Sequence, residues 1–252
     1  LKLSSQMGVT KIRLTGGEPL LRKDLVPIIQ YANCLDGVNS VHLTTNGLLL
    51  SKYLNSLEQS GLSGLNISLD TMNADKYKII TRRDGLKQVL DGLEKAIDSS
   101  IRSIKINVVA MRDFNDQELM DFIDLTKENN ITVRFIELMP FDSHQIWKTG
   151  KFYGADHIIA DIKKQVDELS PIDGSRTEHH IFKVNDYKGK VAVIPAYTRS
   201  LCGTCNRLRI TADGKLLNCL YSQDETNLRD AMRMGKTDMM IKDMIYGTMK
   251  KK

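Results

Sequence analysis

Short apolar runs rich in β-branched residues alternate with helical patterns along the first part of this chain, and that alternation limits its fold more than any other feature. The runs are Lys11-Ile12-Arg13-Leu14-Thr15, Ser40-Val41-His42-Leu43-Thr44, Leu65-Asn66-Ile67-Ser68-Leu69, Ile104-Lys105-Ile106-Asn107-Val108-Val109 and Val133-Arg134-Phe135-Ile136-Glu137-Leu138. Between them, Leu86, Val89, Leu90, Leu93, Ala96 and Ile97, and then Leu119, Phe122, Ile123 and Leu125, keep the spacing of one helical face. Five such strand-helix units predict a parallel sheet. Leu1 to Met7 read as the tail of a helix with no strand before it, so residues 1–150 are expected to form an α/β fold, an incomplete TIM-like parallel (β/α) barrel.

After Gly150 the rhythm changes. One helical pattern, Ile158 to Leu169, precedes the turn-rich β text of His180 to Val184, Lys190 to Ile194 and Arg209 to Leu216, with Asp213-Gly214 as a hairpin signal. Residues 151–252 are therefore expected to be a smaller C-terminal region containing antiparallel strands. A length of 252 residues with 41% hydrophobic residues suffices for a core. The net charge of +5 favours anionic partners, but it is scattered, without the run of Lys and Arg that marks a nucleic-acid arm, so a phosphate-bearing small molecule fits as well as a polymer. No apolar run reaches the roughly 18 residues of a membrane span, and no leader is legible. Beginning on Leu1 and ending on lysines directly after a helical pattern, the chain reads as a piece cut at both ends. A barrel opened in that way exposes a sheet edge and is expected to aggregate.

Gly16-Gly17-Glu18-Pro19, Thr44-Thr45-Asn46-Gly47, Ser68-Leu69-Asp70 and Met139-Pro140-Phe141-Asp142 follow or end the strands. In parallel α/β folds that is the side that carries the active site, so these segments should converge. The same residue types also serve simply to exit strands. The two glycines allow close approach of a ligand, and the Glu18 carboxylate suits an ammonium group; the Lys and Ser/Thr of a phosphate loop are missing.

Three of the four cysteines crowd together as Cys202-Gly-Thr-Cys205 and Cys219, with thirteen residues between the last two. Thiolates two residues apart can grip one metal, and the Asp213-Gly214 hairpin can return the third beside them. Spacing alone leaves zinc, with a fourth ligand from elsewhere, or an iron-sulfur cluster with an open iron, structural zinc being slightly preferred over the cluster. Free thiols are the simpler alternative. Clustering of this kind favours a reducing compartment over a disulfide framework, and Cys34 reads as a buried apolar residue. Arg207 and Arg209 share a strand face, and their guanidinium forks suit phosphate or carboxylate beside an open metal position. No Ser/His/Asp or paired-carboxylate arrangement is present, and the five histidines, His179-His180 included, read as ordinary polar residues.

Taken in order, Arg13-Leu-Thr-Gly-Gly-Glu-Pro-Leu-Leu-Arg22, Leu43-Thr-Thr-Asn-Gly47, Asn66-Ile-Ser-Leu-Asp70, Arg134-Phe-Ile-Glu-Leu-Met139-Pro and Cys202-Gly-Thr-Cys-Asn-Arg-Leu-Arg209 closely resemble the GTP 3',8-cyclase family of molybdenum cofactor biosynthesis, which are radical S-adenosylmethionine (SAM) enzymes. Gly-Gly-Glu-Pro alone marks radical SAM proteins broadly; the combination is specific and runs over essentially the whole chain. The resemblance implies a barrel of radical SAM type. It implies SAM contacts at Gly17, Ser68 and Met139, with Glu18 meeting the methionine ammonium, and GTP contacts at Arg13, Thr44, Lys105, Arg207, Leu208 and Arg209. It also implies that Cys202, Cys205 and Cys219 hold an auxiliary 4Fe-4S cluster whose open iron faces guanine, which displaces the preference for zinc. In the family a first 4Fe-4S cluster reduces SAM to a 5'-deoxyadenosyl radical. That radical removes hydrogen from C3' of GTP, and the carbon radical then attacks C8, so the protein's part is positioning, water exclusion and charge.

This sequence departs from the family pattern in two places. The C-x3-C-x2-C motif for the first cluster, expected upstream of Arg13, is absent from the 252 residues, as is the C-terminal double glycine. The resemblance therefore implies turnover only in a fuller protein that supplies that first cluster, a second 4Fe-4S cluster beside the auxiliary one. Two other readings stay open: a non-catalytic GTP-binding iron-sulfur protein or isoform, and another radical SAM enzyme with an auxiliary cluster acting on a peptide. Thr81-Arg-Arg83, Met139-Pro-Phe-Asp142 and Trp147 look more like eukaryotic members, which implies the mitochondrial matrix; a bacterial source implies cytoplasm. A homodimer and the downstream cyclic pyranopterin monophosphate synthase are the protein partners the resemblance implies.

Overall fold

The structure is a computed structural model, and it describes residues 1–139, 150–172, 180–198, 205–220, 222 and 224–251. Its principal element is a sheet of eight strands: β1 (Lys11–Leu14), β2 (Ser40–Thr45), β3 (Gly64–Ser68), β4 (Ser103–Ala110), β5 (Thr132–Glu137), β6 (Leu169–Pro171), β7 (His180–Val184) and β8 (Lys190–Ile194). The order is β1-β2-β3-β4-β5-β8-β7-β6, parallel from β1 through β5 to β8, with β7 and β6 antiparallel at the end. The sheet has two distinct edges, β1 and β6, so it is open. Five predicted strands lie within about a residue of their expected places.

Helices α2 (Leu25–Asn33), α3 (Leu50–Gln59), α4 (Ala74–Thr81), α5 (Leu86–Ile97), α6 (Leu119–Asp124) and α7 (Ala155–Lys163) connect the strands. The strands alternate strictly enough to show why. In β4, Ile104, Ile106, Val108 and Ala110 are buried, while Ser103, Lys105, Asn107 and Val109 are half-buried. The buried set packs with Val41, Leu43, Leu65, Val133 and Phe135 and with the apolar helix faces into one core. Phe122 of α6 meets Phe135 of β5 edge to face, with ring centroids 6.3 Å apart.

A second, smaller unit follows. Strands β9 (Arg209–Ile210), β10 (Lys215–Leu217) and β11 (Thr226–Asn227) form an antiparallel sheet covered by α8 (Leu228–Arg233) and α9 (Asp238–Lys250). The hairpin expected through Asp213-Gly214 is present, with Leu216 opposite Ile210 and Gly214 at a positive φ. Its core is Leu216, Leu228, Ala231, Ile241 and Ile245, against which Leu3, within the opening helix α1 (Lys2–Gln6), and Met7, just after it, also pack.

Three expectations are corrected. The Ile158 to Leu169 helix is α7, which stops at Lys163, and Leu169 begins β6. The β7 and β8 strands are indeed antiparallel to each other, but β8 also pairs in parallel with β5, so the large sheet continues well beyond residue 150. The unbroken run Val191-Ala192-Val193, buried throughout, is the mark of an interior strand. Cys34 is exposed, not buried: it caps α2 about 200° around the helix from the buried Ala32.

Candidate functional site

Register gathers polar residues from six strands onto the face opposite the helices. Arg13 pairs with His42; Thr44 pairs with Asn66 and Asn66 with Lys105; Ser68 pairs with Asn107 and Asn107 with Arg134; Thr132 pairs with Lys190. Partners across a parallel ladder point the same way, so these side chains share one surface. Burial lowers the pKa of Lys105 to about 8, with the positive charges of Arg134, Lys11, Arg13 and Lys190 adding to the effect. Burial lowers that of His42 to about 4, with Lys11, Arg13 and Lys105 again contributing. Both shifts report one crowd of cations across the N-terminal half of the sheet. Asn66 donates to Thr44 Oγ1 at 3.2 Å, yet the Oδ1 atoms of Asn66 and Asn107 are buried without a partner among the described residues. Buried acceptors normally find donors, so the orphaned pair marks this face as built to be completed by another group.

The opposite, C-terminal ends of the strands hold the other predicted residues. Gly16 adopts φ +134°, which side-chain-bearing residues avoid, and leads into Gly17. Glu18 ties two motifs together: its carboxylate accepts from Leu20 N at 3.0 Å, Thr45 Oγ1 at 2.7 Å and Asn46 N at 2.8 Å. A carboxylate offers about four acceptor sites, so one direction remains for an ammonium group. Ser68 is exposed at the end of β3, on a loop fixed from behind: Asp70 accepts from Val109 N at 2.8 Å, and Glu118 accepts from Thr71 Oγ1, Met72 N and Lys76 Nζ at 2.7 Å each. Met139 follows β5 and is half-buried.

Cys205 and Cys219 are both half-buried and flank the β9–β10 hairpin. Burial and neighbouring Arg207 lower the pKa of Arg209, while Cys205 and Cys219 act in the other direction, so these four residues lie within electrostatic reach of one another. The side chain of Leu208 turns away, packing against the small core between the two arginines. Cys202, Pro140, Phe141, Asp142, Trp147 and His179 lie outside the described residues. Among the described residues no group of three His, Cys, Asp or Glu could hold a metal ion.

Residues 1–126 match the Radical SAM superfamily, and residues 131–252 match Molybdenum Cofactor Synthesis C. The chain is 40% identical over its full length to GTP 3',8-cyclase of Chlorobaculum tepidum, of which it covers 76%. It belongs to the GTP 3',8-cyclase family. Molybdenum cofactor biosynthesis protein 1 of Dictyostelium discoideum is 41% identical, with 100% of this chain and 40% of that protein covered. The chain thus spans about two fifths of that relative. SuiB of Streptococcus suis, solved with S-adenosylmethionine bound, shares the fold at a TM-score of 0.57 and 14% identity, over 91% of this chain and 56% of that one. Bacteria and eukaryotes are thus both represented among its relatives. Among the described residues no helix is long and apolar enough to cross a membrane.

Reading the sequence by motif missed Lys11, His42, Arg134 and Lys190 on the cationic face, and the two asparagines beside them. Period-two alternation placed each on a strand, but only the register between strands says which face is shared.

Proposed function

We propose that this chain is the SAM- and GTP-binding body of a GTP 3',8-cyclase, converting GTP to (8S)-3',8-cyclo-7,8-dihydroguanosine 5'-triphosphate in the first step of molybdenum cofactor biosynthesis. The observation that carries the reading is the belt of Lys11, Arg13, Lys105, Arg134 and Lys190, whose members depress the basicity of Lys105. Such a belt suits a polyanion, and a triphosphate supplies one. Arg13, Thr44 and Lys105 bind GTP from the sheet, and Arg207 and Arg209 from the hairpin; with its side chain in the small core, Leu208 contributes its backbone. Gly17, Glu18, Ser68 and Met139 bind SAM at the strand ends.

The thiols fit an auxiliary 4Fe-4S cluster held by Cys202, Cys205 and Cys219. Two of the three flank the hairpin, beside cationic Arg207 and Arg209. When bound, that cluster supplies an open iron for the purine, and SAM supplies the group that becomes the hydrogen-abstracting radical. The chain's own residues hold charge, orient the ribose against the strand ends and keep water away. A homodimer, a cyclic pyranopterin monophosphate synthase acting next, and a mitochondrial matrix location for a eukaryotic source or cytoplasm for a bacterial one belong to the same proposal.

The test is iron and sulfide content together with GTP affinity after anaerobic reconstitution, in the native chain and in Cys219→Ala. The expected result is about four irons per chain, lost with the substitution, and a matching loss of GTP affinity. Zinc in place of iron, or GTP binding indifferent to Cys219, overturns the cluster assignment.

A further inference from the structure

His42 is only 7% exposed and lies on the polar face of β2, with Arg13 beside it on β1 and Gly64 beside it on β3. Its ring covers Gly64: a Cβ at that position would collide with Nδ1 and Cε1. Only glycine leaves room for the imidazole, so the sheet provides a slot for it. Among the described residues, charged groups reach the ring from β1, as Lys11 and Arg13, and from β4, as Lys105, and these are positive. Hydrogen bonding to described residues is not among the influences on its basicity. Thr44, two residues along on the same face, bonds Asn66, whose register partner is Lys105, so His42 stands inside the belt.

Burial first, and then the neighbouring cations, keep this imidazole neutral, and a bound polyanion opposes the field of those cations. We propose that His42 is a proton-taking contact for polyphosphate: when a nucleoside triphosphate occupies the belt, the imidazole accepts a proton from solvent and donates an N–H to a phosphate oxygen. The inference rests on the GTP reading above and adds to it a residue and a proton. One negative charge about 5 Å from the ring, at an effective dielectric of about 20, raises an imidazole by about two pKa units. Starting from about 4, the bound value approaches about 6. The basicity is raised by binding, so affinity is gained as pH falls through the bound value and the gain is complete below the free one. Lys105, at about 8, is already protonated at pH near 6 and does not contribute there.

The experiment is calorimetric titration of the full chain with GTP and, separately, with inorganic tripolyphosphate, at pH about 6 in two buffers of different ionisation enthalpy. The native chain is compared with His42→Gln and His42→Asn, the ligand's own phosphate titration being common to all three. The native chain is expected to take up about half a proton more per ligand than either variant, with both ligands. Equal proton counts in all three overturn the inference and leave the GTP reading intact. Tripolyphosphate binding with His42-dependent uptake, alongside failure to bind GTP, upholds the inference as a polyphosphate contact and overturns the GTP reading. Failure of both ligands to bind overturns both. Where circular dichroism shows that the variants do not fold, 13C-histidine spectra of the native chain decide: one resonance moving to the imidazolium position on adding tripolyphosphate upholds the inference, and none moving overturns it.

Discussion

Lys105 on β4 and Arg209 on β9 reach the candidate site by the same alternation of polar and apolar residues, but their foundations differ. Lys105 sits between Ile104 and Ile106, which belong to a core running through every parallel strand and the helices behind them. Arg207 and Arg209 are set by Leu208, which leans on a core of five buried residues. One half of the site is thus anchored in a cooperative body and the other on a small satellite. The positions of the cations relative to the thiols depend on the weaker of the two.

The largest effect expected from this contrast is at Phe135. Fully buried and edge to face with Phe122, it lies under the strand that carries Arg134. Phe135→Ala removes an aromatic ring from the middle of the large core and should cost about 3–5 kcal/mol, lowering the single thermal transition of the whole protein. Two separate transitions, with only the second displaced, would show that the large sheet does not unfold with the rest.

Leu216→Ala is the matched cut in the satellite. A leucine leaving a small core that can partly collapse should cost about 2–3 kcal/mol. Hydrogen exchange is the discriminating measurement. Amides of β10, α8 and α9 should lose protection while those of β4 and β5 keep it, and GTP affinity should weaken through Arg207 and Arg209 although neither is altered. Equal loss of protection in β4 would merge the two regions into one unit, for which the packing of Leu3 and Met7 on the small core offers a route.

The contrast also explains what could be read from the sequence. Strand positions were legible because each side-chain alternation is local, and the Asp213-Gly214 hairpin because a turn is local too. Register is not local: nothing near Lys105 in the chain says that Asn66 lies beside it, and so His42, Arg134 and Lys190 could not be joined to Arg13. Motif residues also hid structural work. Glu137, inside the quoted Arg134 to Met139 segment, is buried and accepts from Ala155 N at 2.6 Å, Tyr197 N at 2.8 Å and Thr198 N at 2.8 Å. It pins the start of α7 and the segment that leads towards the cysteines to the end of β5. The Asp70 of the Asn66 to Asp70 motif likewise holds β4. The exposure of Cys34 is not legible in sequence because an apolar neighbourhood along the chain need not be one in space, and the phase of α2 turns it outward.

The smallest expected effect separates the two regions by how they hold their loops. Asp70 fixes the turn after Ser68 by accepting from Val109 N, and burial raises its pKa while that bond opposes the rise. A carboxyl with a folded pKa above its unfolded value holds a proton that the unfolded chain has already released, so the native state loses stability as pH rises through that interval and keeps the deficit above it. Asp70→Asn retains an Oδ1 acceptor for Val109 and cannot ionise. The variant should melt at least as high as the native chain at pH 7, by up to a few degrees, with the difference vanishing below pH about 4, where both carry a neutral group. A variant that melts lower at pH 7 and recovers on acidification would mean that the ionised carboxylate is the stabilising form. Its charge would then have to be balanced by the cations of the polar face, tying the Ser68 loop to the binding belt rather than to the strand behind it.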